Sequence, residues 1–256
     1  MDADQARAYL KRIGSGYAGP PDHMRLRLLQ RAHLRTVPFE NLSIHLGEPI
    51  VLDEDQLFEK IVVRRRGGFC YELNGLFAAL LRHLGYRVEL LQARVHGKEG
   101  YGPPFDHMAI RVSLDRPYLV DVGFGKFAAE PLRLDTGEAQ DDPAGRFHVD
   151  DVGPHIDVFE GGEPQYRLDP RPYRLADFGP TCFWQSHSAE SHFTRSLTCS
   201  APSGGGRVTI SGDRLIITEP DGTRTEKELG SDAEVLDAYR GFFGIELDRV
   251  PRVTGV

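Results

Sequence analysis

Apolar residues along the chain follow first one period and then another. Leu73, Leu76, Phe77, Leu80, Leu81 and Leu84 form a stripe at 3.6-residue spacing, closed by Gly85. That stripe predicts a helix. Gly67 and Gly68 are poor helix interior, so it starts near Cys70. Upstream, Ala3, Ala6, Leu10 and Ile13 have helical spacing until Gly14, Gly16 and Gly19 break it. Pro20-Pro21-Asp22 opens a second helix with Met24, Leu28, Leu29 and Leu34, and Val37-Pro38 ends it. His33 on this helix reads as a packing or surface residue. Phe39 to Leu42 reads as a loop, and Asp53 caps a helix through Leu57, Phe58, Ile61 and Val62. The first 85 residues therefore read as mainly helical.

Beyond Gly85 the period changes to two. Tyr86 to Leu90 alternates, and the run continues to Val95. A Gly- and Pro-rich loop over 96–106 leads to His107. Met108, Ile110, Val112 and Leu114 then alternate, placing His107 on the opposite face. After a turn at Asp115-Arg116-Pro117, the run from Tyr118 to Gly125 reads as a second strand with Asp121 inside it. Residues 135–154 read as a polar surface loop or irregular hairpin, and residues around Tyr166 to Leu168 as further strands. Segments 207–210, 214–218 and 223–229 form a meander. Ser231-Asp232-Ala233-Glu234 has the form of a capping box opening a helix with Val235, Leu236, Tyr239, Phe242 and Phe243. Helices, then strands, then strands with a helix give an α+β fold, not a regular βαβ alternation.

Composition narrows the function classes. The 256 residues are 40% hydrophobic and 27% charged, as in soluble globular proteins. A formal charge of −7 argues against general nucleic-acid or anionic-membrane binding, so a polyanionic ligand needs a local basic patch. No apolar run reaches the ~20 residues of a membrane span. The acidic start Met1-Asp2-Ala3-Asp4 lacks the apolar core of a signal peptide. Cys70, Cys182 and Cys199 are an odd set without close pairing, which suits a reducing cytoplasm. No Cys/His spacing suggests a metal site.

Three residues stand out chemically. A cysteine at a helix N-terminus sits in the positive end of the helix dipole, where a thiolate is stabilised. The paired glycines before Cys70 turn the chain tightly and are expected to keep space there open to a ligand. Most cysteines are merely small hydrophobes. Here, however, a histidine on one strand and a buried carboxylate on the next supply a base and an orienter. Asp121 in an apolar run is costly without a partner. Together, Cys70, His107 and Asp121 favour nucleophilic catalysis.

At these residues the sequence resembles the arylamine N-acetyltransferase family. The matching blocks are Arg66-Gly67-Gly68-Phe69-Cys70-Tyr71-Glu72-Leu73-Asn74, Val37 to Leu42, Ala93-Arg94-Val95, Leu119 to Gly125 and the opening Tyr9 to Gly14. They occur in the family's order over roughly the first half of the chain. The resemblance implies a helical domain over 1–86, a central β-barrel over 87–195 and a C-terminal α/β lid over 196–256. It implies that Glu40 pairs with Arg66 beneath the site, and that Phe39, Val95, Phe124 and Phe193 line the acceptor pocket. It further implies acetyl-CoA as donor near Gly125 and Lys126, an arylamine or hydrazine acceptor, and two-step chemistry through an acyl-cysteine. Many relatives carry a glycine where Lys126 stands, and Phe127 and Glu130 make this turn bulkier and more acidic. Two alternatives stay open: an amide synthase of the same fold releasing a polyketide as a macrolactam, and a Cys-His-Asp hydrolase or transglutaminase-like enzyme.

Overall fold

The computed structural model describes residues 1–16 and 19–253. Asp2 caps α1 (Ala3–Arg12) by accepting from the amides of Asp4 and Gln5, and Asp22 caps α2 (His23–Thr36). Residues 39–42 are not a free loop. Phe39–Glu40 forms strand β1, which pairs with a strand far along the chain, and Leu42–Leu46 forms the short helix α3. Asp53 caps α4 (Glu54–Phe58), which widens into a π-helical turn over Glu59–Val63. Helix α5 (Cys70–His83) begins at the cysteine, with Phe69 as its extended N-cap.

The strands follow as β2 (Arg87–Gly97), β3 (Gly100–Tyr101), β4 (His107–Ser113), β5 (Pro117–Val120) and β6 (Leu132–Arg133). Next come β7 (Gln140–Asp142), β8 (Gly145–Asp151), β9 (Ile156–Glu160) and β10 (Glu163–Leu168). The polar stretch over 135–154 thus supplies two paired strands, and the loop over 96–106 folds back on β2 through β3. The antiparallel sheet runs β6-β5-β4-β2-β10-β9-β8-β7. Its two edges are stitched by one side chain. Gln140 on β7 accepts from the Arg133 amide at 2.7 Å and donates to the Arg133 carbonyl at 3.0 Å. This nearly closes a barrel and blunts both exposed edges.

The two-residue period of β4 divides two cores. Met108, Ile110 and Val112 pack outward onto α5 and its neighbours, with Leu26, Leu29, Leu73, Phe77 and Leu80. Ala109 points the other way, into a barrel interior filled by Leu91, Ala93, Phe127, Phe147 and Tyr166. The rest of the chain forms α6 (Gly179–His187), α7 (His192–Arg195), β11 (Thr198–Ser203), β12 (Gly206–Ser211), β13 (Arg214–Thr218), β14 (Arg224–Glu228) and α8 (Asp232–Ala238). Ser231 caps α8 by accepting from the Glu234 amide, while the Glu234 carboxylate takes the Gly230 amide. A second sheet runs β1-β11-β12-β13-β14, and its core takes in Leu42 and Leu46 from α3.

Candidate active site

The two glycines before Cys70 serve contact rather than open space. A Cβ on Gly67 would lie 2.0 Å from the Pro38 carbonyl, and one on Gly68 would strike the Glu72 carboxylate. They let the chain before α5 lie against residues 38–40, where the Glu40 amide donates to the Gly68 carbonyl. Glu72 then accepts the Phe69 amide at 3.2 Å and the Lys60 ammonium at 2.6 Å. The N-terminus that presents Cys70 is thereby fixed from beneath.

His107 opens β4, after a loop that takes Phe105 through left-handed backbone at φ 62°. That conformation is unusual for an aromatic residue and needs support. The Tyr71 hydroxyl donates to the carbonyls of Phe105 and Asp106, and the Gln92 side chain accepts the Phe105 amide. Helix α5 therefore carries both Cys70 and the clamp on the loop delivering His107.

Strand β5 stops at Val120, so Asp121 lies just past its end rather than inside a strand running to Gly125. The chain leaves the sheet because side chains take over its hydrogen bonds. Asn74 accepts the Val122 amide at 2.9 Å, and the Asp121 carboxylate accepts the Gly123 amide at 2.9 Å. Gly123 then passes so close to α5 that an added Cβ would be 2.7 Å from the Cys70 Cα.

Asp121 is almost fully buried and has four hydrogen-bond partners. One oxygen accepts from Asn74 and Gly123. The other accepts from the Tyr166 hydroxyl at 3.1 Å and meets His107 Nε2 at 2.7 Å. Nε2 is thus committed, and Nδ1 is the ring nitrogen left to exchange a proton. The Cys70 thiol lies near the backbone of Met108, the residue next to His107. Burial pushes the Cys70 thiol well up. The Met108 contact opposes this, and the nearby Asp121 and Asp106 carboxylates reinforce it. A thiolate forms here when the Cys70 proton passes to an adjacent base.

Glu40 and Arg66 meet as the resemblance implies, at 3.0 Å and with both side chains buried. Burial alone would raise the Glu40 carboxyl. Arg66, Lys60 and the Leu42 amide outweigh it and hold the group below the usual carboxylate range. Glu48 also reaches Arg66, at 3.1 Å. Around the centre, Phe124 packs on His107 and Tyr166 with ring centroids 5.1 Å from each. Phe193 packs on Phe69 at 5.4 Å and near Phe39 at 6.3 Å. Asn41 secures that second wall by donating to the Phe193 carbonyl. Val95 pairs with Tyr166 across β2 and β10 and is half-buried. Lys126 is 70% exposed and faces Glu160 at 3.6 Å. Glu130 does not leave its charge on the turn, because Arg27 and Arg31 on α2 both pair with it.

The sequence reading gives Asn74, Tyr166 and Glu48 no role in the site. Asn74 had a signal: it is one helical turn beyond Cys70 and therefore on the same face. Tyr166 and Glu48 reach the site only through tertiary packing. Among the described residues no cluster of His, Cys, Asp and Glu is arranged to hold a metal, and no helix is long and apolar enough to cross a membrane.

The site's frame is a cysteine at a helix start, a buried His–Asp pair, a nearly closed barrel and a second sheet. A family model described as N-acetyltransferase matches residues 23–252. The arylamine N-acetyltransferase of Mycolicibacterium smegmatis is 35% identical over 93% of this chain and 91% of its own. A solved structure of an M. smegmatis arylamine N-acetyltransferase superposes with a TM-score of 0.89 at 33% identity, covering 98% of this chain and 96% of that one. The Mycobacterium marinum enzyme in complex with CoA gives 0.85 at 34% identity, covering 94% and 92%. The chain belongs to the arylamine N-acetyltransferase family.

Proposed function

We propose that this chain moves the acetyl group of acetyl-CoA to an arylamine or hydrazine by a ping-pong mechanism through an acetyl thioester on Cys70. The observation that carries the reading is the 2.7 Å contact between His107 Nε2 and Asp121 beside the helix start at Cys70. His107 takes the Cys70 proton, and Asp121 balances the imidazolium. The thiolate attacks the thioester carbonyl, and the Cys70 amide at the helix start helps hold the oxyanion. CoA leaves as the thiol by taking the proton held on His107; the amine then attacks the acetyl-cysteine, and His107 passes the amine's proton to the departing Cys70 sulfur.

The CoA bound to the M. marinum relative supports the donor. Phe39, Val95, Phe124 and Phe193 are the acceptor's walls in this reading, with Gly125 and Lys126 bordering the donor. Glu40 and Arg66 support the site from below. A cytoplasmic location belongs to the same reading, supported by three free, buried cysteines.

Incubation with acetyl-CoA alone should add one acetyl group to Cys70 by intact mass, and an aniline or hydrazide should discharge it. Initial-rate plots at several amine concentrations should be parallel. Labelling by a carrier-bound polyketide thioester but not by acetyl-CoA would transfer the assignment to the amide synthase.

A further inference from the structure

Gln185 on α6 is buried between two groups that belong to different parts of the site. Its Nε2 donates to Asp106 Oδ1 at 2.7 Å, and its Oε1 accepts the Ser191 hydroxyl at 2.6 Å. Ser191, also buried, is the N-cap of α7 and accepts the Phe193 amide at 3.1 Å. Every donor in this series points the same way, from Phe193 through Ser191 and Gln185 to the Asp106 carboxylate. In such a series each bond polarises the next.

Its two ends stand beside the chemistry. Asp106 immediately precedes His107. Phe193 packs edge-on against Phe69, the N-cap residue before Cys70, with ring centroids 5.4 Å apart. The series therefore runs from the neighbour of the base to a wall that rests on the neighbour of the nucleophile. Gly102 leaves room for the carboxylate, since an added Cβ would lie 2.4 Å from Asp106 Oδ2. Burial pushes the Asp106 carboxyl up, and His107, the Val95 backbone and Gln185 oppose that shift. Among the described residues Gln185 is the one side chain that donates to this carboxylate.

Each end also has an anchor of its own. The Tyr71 hydroxyl holds the carbonyls of Phe105 and Asp106, and His107 keeps its contact with Asp121. Asn41 donates to the carbonyls of Phe193 and Ser196. Loss of Gln185 therefore leaves the base and α7 in the fold. What it removes is the connection that sets where α7 stands against the loop bearing His107.

We propose that Gln185 is a positioning residue for the acceptor half of the reaction, holding the Phe193 wall through Ser191 at a fixed place relative to His107. It governs acceptors that have a ring to seat and leaves the acylation of Cys70 alone. The inference rests on the reading given above, in which Phe193 lines the acceptor pocket.

The test uses Gln185→Leu, which is close in size and breaks both bonds. Cys70 is loaded from p-nitrophenyl acetate, so that the rest of the donor plays no part. For an aniline acceptor kcat/KM should fall by about 10-fold, from the loss of hydrogen bonds to a buried carboxylate. For hydrazine, which has no ring, kcat/KM should stay within about twofold, and so should the rate of Cys70 acetylation. A merely structural role would lower all three together. Gln185→Glu sets two carboxylates against each other at pH 8 and should show the aniline loss as well. Adding Asp106→Asn to it restores a donor opposite an acceptor, and the new carboxylate still accepts the Ser191 hydroxyl. Aniline kcat/KM should then return to within about threefold of native. An unchanged aniline value in Gln185→Leu, an equal loss with hydrazine, slowed Cys70 acetylation, or a double variant no better than Gln185→Glu overturns the inference. Where Gln185→Leu does not fold, the comparison of Gln185→Glu with the double variant decides it. Failure of native Cys70 to take an acetyl group, or of an aniline to discharge it, instead overturns the reading beneath.

Discussion

Asn74 donates to the Asp121 carboxylate at 2.9 Å from a position one helical turn beyond Cys70. The same amide group donates to the Met108 carbonyl and accepts the Val122 amide. One side chain thus joins the helix bearing the thiol to the strand bearing His107 and the turn bearing Asp121. Asn74→Ala should lower kcat by about 10- to 100-fold, from the loss of hydrogen bonds to a buried carboxylate. Asp121→Asn should be more severe, about 10³–10⁴-fold, because the amide cannot balance the imidazolium and favours the wrong tautomer. Steady-state kinetics on both variants check the order. An Asn74→Ala enzyme with native kcat would remove the side chain from the positioning of Asp121.

Helix α5 and strand β4 are legible in the sequence because each buries one face, so the period of the apolar residues declares the element. The chemistry at Cys70, His107 and Asp121 stands out for the same reason: polar groups interrupt clear apolar patterns. What is not legible depends on distant partners. Phe39–Glu40 becomes a strand only because Ser200 and Cys199 lie beside it. Strand β7 is wholly polar and β8 offers only the alternation of Phe147 and Val149, too short a signal to declare strands that pairing in the barrel holds. The early end of β5 is set by Asn74, a residue on another element.

Cys70→Ser should abolish acyl transfer and leave the melting temperature nearly unchanged. A hydroxyl is far less acidic than a thiol, and burial already disfavours the anion at this position. The base can be tested separately. In the native protein iodoacetamide should alkylate Cys70 at neutral pH, since His107 can take its proton. In His107→Gln the reaction should retreat to pH above the ordinary thiol value of about 8.5. Identical alkylation profiles in the two proteins would show that His107 does not poise the thiol.

Glu40→Gln should destabilise the protein strongly. The carboxylate accepts from Arg66, Gly67 and Leu42, and a glutamine turns its amino group toward one of these donors. Breaking a buried pair costs up to about 3–5 kcal/mol, the full amount where the other charge is left alone and less where, as here, Arg66 keeps Glu48. That corresponds to roughly 6–20 °C in melting temperature for a chain of this size. Glu48→Gln is the control. Its partner Arg66 keeps Glu40, and Glu48 is 31% exposed, so the loss should be within about 1 kcal/mol. Equal melting shifts in the two variants would contradict the ranking.

His33 should make the fold acid-sensitive in a defined window. The ring is fully buried between Tyr9, whose hydroxyl is 2.9 Å from Nδ1, and Phe77 on α5. Among the described residues its Nε2 has no partner. Burial, with a smaller contribution from Arg12, lowers its pKa from 6.5 to about 3. The folded value lies below the unfolded one, so the neutral ring's stabilisation is complete above pH 6.5. It is lost as pH falls from 6.5 toward 3, because the unfolded chain gains a proton that the folded chain refuses. The loss reaches up to about 1.4 kcal/mol per pH unit. Urea denaturation at pH 7.5, 6.5, 5.5 and 5.0 should show that slope in the native protein. His33→Gln keeps an acceptor for the Tyr9 hydroxyl but cannot titrate. Its stability should be lower at pH 7.5 and fall less steeply below pH 6.5. Parallel profiles for the two proteins would locate the acid sensitivity elsewhere. The effect bears on function because His33 packs on the helix whose first residue is Cys70, and acid that forces a charge onto His33 loosens that helix's support.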